Sequence, residues 1–243
     1  MKKAISLNEA ETLAAKLRTS AGLNEDEPVN TKVLLRKLNA IALFKPLMLA
    51  CSGVSCKSES GKMFLLINSE CPIGRQNFTI AHELYHLLYD ENPKPHIMFS
   101  GKDAEEKYAD IFASCLLLPK NGIIQMLSPE EIRSGKIELK TILRIEHMFE
   151  VSRSALIVRL KSLHLIRQSE IKHLETFPLK RTARLYGYDT SLYERGNENV
   201  IIGNYGEMAR TLFEEGKISE GHYNEFMSVF SYGESQDSDS SGC

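Results

Sequence analysis

The stretch Phe78-Thr79-Ile80-Ala81-His82-Glu83-Leu84-Tyr85-His86-Leu87-Leu88-Tyr89 sets a His-Glu-x-x-His signature inside an apolar helical pattern. Phe78, Ala81, Leu84, Tyr85, Leu88 and Tyr89 recur at intervals of three and four. That spacing predicts a helix, with Asn77 as its N-cap and Asn92-Pro93 as its stop. His82 and His86, four residues apart, stand one turn above each other on one face, so their imidazoles can grip a single metal ion. Glu83 borders the same ion from one residue further round without binding it, where a general base for an activated water belongs.

Two imidazoles alone make a weak site, and a catalytic zinc usually takes three protein ligands and a water. The stretch Asp103 to Leu118, closed by Pro119, offers the third ligand. Asp103 with Glu106 reads as a capping box, and Tyr108, Ile111, Phe112, Cys115 and Leu116 as the buried stripe of a helix. Glu106 and Asp110, four apart, share a face beside that stripe. Taken alone they would be solvated face residues. Beside the first helix, Glu106 completes a His82, His86, Glu106 ligand set, and Asp110 can accept a hydrogen bond from the far nitrogen of a ligand histidine. The expected cofactor is zinc, and manganese or iron(II) could occupy the same donors. A tetrahedral intermediate also needs a donor for its oxyanion, for which Tyr89, His96 and Tyr108 are the candidates.

In these two motifs the sequence resembles the ImmA/IrrE metallopeptidases, which typically show an FTIAHELGHLL helix followed by an ExxAN/D-x-FAxxLLxP helix. Phe78 to Leu88 corresponds to the first motif. Glu106, Ala109, Asp110, Phe112, Ala113, Leu116, Leu117 and Pro119 correspond to the second. The likeness extends upstream to Leu66-Ile67-Asn68 and Arg75, downstream to Val151–Leu160, and covers about the first two thirds of the chain. Tyr85 departs from the pattern, which usually has glycine there; that position makes no metal contact, so the departure bears on packing or substrate access. The resemblance implies a site-specific endopeptidase that cleaves a helix-turn-helix repressor or antitoxin of phage, mobile-element or stress-response origin. The alternative is a non-catalytic protein-binding or DNA-contacting regulator on the same fold. Glu83 favours an enzyme, since a closed structural site would have no use for a free carboxylate there.

Around this centre the composition is ordinary: 243 residues, 42% hydrophobic, 26% charged and a net charge of −2. A near-neutral balance gives no overall drive toward nucleic acid or membrane. The N-terminus lacks the apolar core of a signal peptide, no uncharged apolar run approaches membrane length, and a cytosolic location is expected. The five cysteines, Cys51, Cys56, Cys71, Cys115 and Cys243, have no CxxC spacing and read as free thiols.

The predicted fold is α+β: a small β-sheet packed on a zincin-like active-site helix, then a helix-turn-helix-like region and a C-terminal helical region. Residues 1–128 form the metallopeptidase core, opening with a helix from Ser6 to Gly22 and a second from Thr31 to Leu38. Ile41–Phe44, Gly53–Lys57 and Lys62–Asn68 read as short strands. The last, just before the metal helix, is expected to offer an exposed edge to extended substrate backbone. Residues 129–170 form a helical subdomain, Leu139–Phe149 and Arg153–Leu163 about a short turn, in which Arg153, Arg159 and Lys161 could face phosphates. Its excess of eight basic over five acidic residues in 129–167 is small, so direct DNA contact is not expected. Residues 171–232 read as mostly helical, and 233–243, acidic and serine-rich, as disordered.

Overall fold

A computed structural model describes residues 6–48, 51–90, 95–99 and 104–231. Helix α1 (Leu7–Ser20) opens on the expected capping box: Ser6 Oγ accepts from the Glu9 amide at 3.2 Å, and Glu9 Oε2 from the Ser6 amide at 2.7 Å. Its positions Ala10, Ala14 and Leu17 are buried. Helix α2 (Thr31–Lys37), capped by Asn30, leads into β1 (Ile41–Lys45), β2 (Cys51–Lys57) and β3 (Met63–Asn68). Then come α3 (Ile73–Tyr89), β4 (His96–Phe99) and α4 (Ala104–Leu117). The remainder is α5 (Lys120–Met126), α6 (Pro129–Ser134), α7 (Leu139–Met148), α8 (Arg153–Ser162), α9 (Gln168–Glu175), α10 (Leu179–Leu185), β5 (Ile201–Ile202), α11 (Tyr205–Glu214) and α12 (Glu220–Ser231).

The strands form one sheet in the order β4-β2-β3-β1-β5. β2 and β3 make an antiparallel hairpin around the Ser58–Gly61 turn, while β1 runs parallel to β3, with Ile41 opposite Phe64. β3 is therefore paired on both sides and offers no edge to a substrate, contrary to the expectation for Lys62–Asn68. The sheet edge beside α3 belongs to β4, which pairs antiparallel with β2.

Helix α3 lies on β2 and β3 and packs against α4, which in turn packs against α1. It begins at Ile73, after Pro72, and not at Asn77. Proline at the entry suits a helix start, because its fixed φ and missing N–H cost nothing there. Asn77 instead sits inside the helix, buried: its Oδ1 accepts from Thr31 Oγ1 at 2.8 Å and its Nδ2 donates to the Glu150 carbonyl at 3.0 Å. Asn92-Pro93 and Asp103 lie outside the described residues, as does the 233–243 segment. Two buried arginines satisfy carbonyls at the end of α4: Arg18 donates to Leu116 O and Arg159 to Leu118 O, each at 3.0 Å through Nε.

The core is continuous. Ala14, Leu35, Phe44, Ile67, Leu84 and Phe112 belong to the same buried cluster as Ile142, Leu156, Leu174 and Ile202. The helices of residues 129–170 thus share the apolar interior of the sheet and α3. Helices α7 and α8 show the expected outline, with Glu150 at a positive φ of 51° and Ser152 Oγ accepting from the Ala155 amide. Arg153 and Arg159, however, do not face outward. Both are buried, Arg153 Nε on Glu146 Oε1 at 2.7 Å and Arg159 Nη2 on Glu11 Oε1 at 3.0 Å. A guanidinium taken out of water needs such partners, and these two are committed to the interior. Cys51, Cys56, Cys71 and Cys115 are free thiols, and Cys243 lies outside the described residues. Among the described residues no helix is long and apolar enough to cross a membrane.

Candidate metal centre

The contact between α3 and α4 brings four donor groups to one point. His82 Nε2 faces His86 Nε2 at 3.3 Å and Glu106 Oε2 at 3.1 Å, and His86 Nε2 lies 4.0 Å from Glu106 Oε1. His96, on β4, joins them from the sheet, and one ligand atom from each of the four residues lies within 4.8 Å of the others. The outer nitrogens are held by carboxylates: His82 Nδ1 by Asp110 Oδ1 at 2.9 Å and His86 Nδ1 by Asp90 Oδ2 at 2.8 Å. With each Nδ1 held by a carboxylate, the two Nε2 atoms, once deprotonated, can turn their lone pairs to one shared ion. Tetrahedral ligands with bonds of about 2.0–2.1 Å stand about 3.3 Å apart, so this donor set fits zinc.

Glu83 is fully buried beside the cluster. Its Oε2 accepts from Ser55 Oγ at 2.5 Å and meets His96 Nδ1 at 3.0 Å. Its Oε1 has the looser contact, 3.3 Å to the same nitrogen. Glu83 borders the donor group without being one of its members, and its carboxylate is held in place by Ser55 and His96.

Charge is shared strongly within the group. Burial opposes a proton on His82, yet the hydrogen bonds to Asp110 and Glu106 outweigh it and raise its pKa to about 9. Hydrogen bonding to His82, against burial and with help from His96, holds Glu106 down at about 2. Burial pushes His86 below its usual value despite Asp90, helped by repulsion from His96 and His82. For His96 the penalty of burial is overcome by Glu83 and Glu106, and its pKa rises.

The structure thus brings together His82, Glu83, His86, Glu106 and Asp110 from the sequence reading, and His96 with them. It leaves Tyr89 and Tyr108 out. The Tyr89 hydroxyl points to the Leu13 carbonyl of α1 at 3.4 Å, with its ring against Tyr85 and Phe112, and Tyr108 packs against the core. Tyr85 itself is buried against Phe112 and filled into the α3–α4 seam, so the bulky side chain is taken up by packing. Sequence reasoning missed Asp90 and Ser55. Asp90 had a signal, since it follows His86 by four residues as His86 follows His82.

A small sheet lying against a buried helix that carries HExxH, with a glutamate delivered from the next helix, defines a zincin-like metallopeptidase fold. Residues 42–161 match the model of peptidase family M78, the IrrE N-terminal-like domain. Through this domain the chain belongs to the ImmA/IrrE family. The match runs past residue 128 into α8, as the continuous core does. No curated protein sequence matches the chain.

Proposed function

We propose that the chain is a zinc-dependent endopeptidase that cuts a helix-turn-helix repressor or antitoxin and so turns on phage, mobile-element or stress-response genes. The convergence of His82, His86 and Glu106 on one point with Glu83 alongside carries the catalytic part. Family membership supports the substrate class. In this reading His82, His86 and Glu106 hold the ion, Asp110 and Asp90 orient the two imidazoles, and Glu83 is the base. Zinc bound there supplies a Lewis acid that polarises the scissile carbonyl and activates water.

Glu83 takes up a proton at Oε1, its less engaged oxygen, and returns it to the leaving amine. Ser55 fixes the carboxylate by holding Oε2. The outer edge of β4 has no strand partner among the described residues and can receive an extended peptide by main-chain pairing.

Glu83→Gln is the test. The amide keeps the shape but cannot accept a proton, so zinc content should be unchanged while cleavage of a co-incubated helix-turn-helix repressor, followed by mass spectrometry, disappears. Retention of biological activity by that variant would favour the second reading, a regulator that only docks its partner. Equal degradation of unrelated unfolded proteins would remove the proposed specificity.

A further inference from the structure

Building on the zinc reading above, we propose that His96 is a fourth protein ligand of the same ion. The resting site is then closed by three imidazoles and one carboxylate, and substrate must displace His96 to reach the metal.

The wiring of the three histidines carries this. A ligand histidine gives its far nitrogen to a carboxylate or carbonyl, which fixes its tautomer and turns the other nitrogen to the metal. His82 does so with Asp110 at 2.9 Å and His86 with Asp90 at 2.8 Å. His96 repeats the pattern with Glu83 at 3.0 Å, and its Nε2 meets Glu106 Oε1 at 2.8 Å. Its ring stacks on that of His86 with centroids 3.9 Å apart. The bland alternative is a surface histidine that happens to bridge two acids. Its side chain is only 21% exposed, and it lies within reach of every other donor in the cluster, which an incidental surface group has no reason to do.

The sheet explains how His96 arrives there. Ser55 of β2 and His96 of β4 are register partners, so one rung of the ladder delivers both groups that hold Glu83. In the resting state Glu83 is accordingly the outer partner of His96. When His96 leaves the ion, one coordination position and Glu83 become available together. The same displacement that admits substrate frees the base.

Zinc loading of the full chain, with X-ray absorption to count imidazole ligands and a competition titration for affinity, tests this directly. We expect three imidazoles in the wild type and two in His96→Ala, an affinity lower by roughly 10–100-fold, and a cobalt(II) visible spectrum altered by the exchange of a nitrogen donor for water. His96→Asn, checked by circular dichroism for an unchanged fold, should behave alike. Two imidazoles in the wild type, with equal affinity in the variants, would overturn the inference and leave the zinc reading standing. A wild type that binds no zinc, or a His86→Ala variant that binds it as tightly as wild type, would overturn both.

Discussion

His82 holds a proton in the metal-free cluster, because Asp110 and Glu106 outweigh its burial and lift its pKa to about 9. A cation can bind its Nε2 only by expelling that proton. Since the folded value lies above the ordinary one, the protonated form competes below about pH 9 and the competition fades as pH rises through it. Zinc uptake near pH 7 should therefore release about one proton, and apparent affinity should climb with pH up to about 9. Calorimetry in buffers of different ionisation enthalpy measures this, and a pH-independent affinity would mean that His82 is neutral. The carboxylates behind the imidazoles matter at the same scale. Asp110→Ala and Asp90→Ala should each weaken zinc by about 10–100-fold, and Glu106→Ala by more, as followed by chelator competition.

At the scale of elements, α3 is held in place by close backbone contact as much as by its apolar face. A Cβ on Gly74 would lie 2.8 Å from the Ser152 amide nitrogen and 3.0 Å from the Val151 carbonyl carbon at the start of α8. Backbone cannot swing aside as a side chain does, so Gly74→Ala should cost about 1–3 kcal/mol by wedging the two elements apart. A urea melt reads this; an unshifted midpoint would show that the seam can yield. The helices were legible in the sequence because their signals are local. Ser6 with Glu9, Ser152, Pro119 and the three-and-four spacing of α3 and α4 each act within a few residues. Asn77, a good cap by type, does not mark the start of α3, because its side chain is spent on Thr31 and Glu150, far away in the chain. β4 and β5 left no pattern, being four and two residues long and held by register with β2 and β1. Ser55 was invisible for the same reason: only the ladder opposite His96 brings it to Glu83.

For the whole molecule, the helices after Pro119 are joined to one another through a buried polar knot. Arg153 binds both oxygens of Glu146, at 2.7 and 3.3 Å, and the Tyr193 hydroxyl donates to Glu146 Oε2 at 2.5 Å. Glu146 is fully buried, so Arg153→Ala would strand a carboxylate without its cation, at a cost of about 3–5 kcal/mol in a thermal or urea melt. Lys161→Ala, at an exposed position, should stay within about 0.5 kcal/mol. Equal effects would mean that the ion pair contributes nothing to holding α7 and α8 together.

Strand β5 is only two residues long, but it covers β1, and the segment just before it is sewn to the root of α3: Asn197 donates to Gln76, and Gln76 to the Gly196 carbonyl. Anyone trimming the gene to the limits of the family match would discard this late hem along with α1 and α2. The rim of β1 would then be left bare, with unpaired amides and carbonyls ready to recruit neighbouring molecules. Loss of solubility in such a truncated product would reflect a missing border and say nothing against the chemistry at its centre.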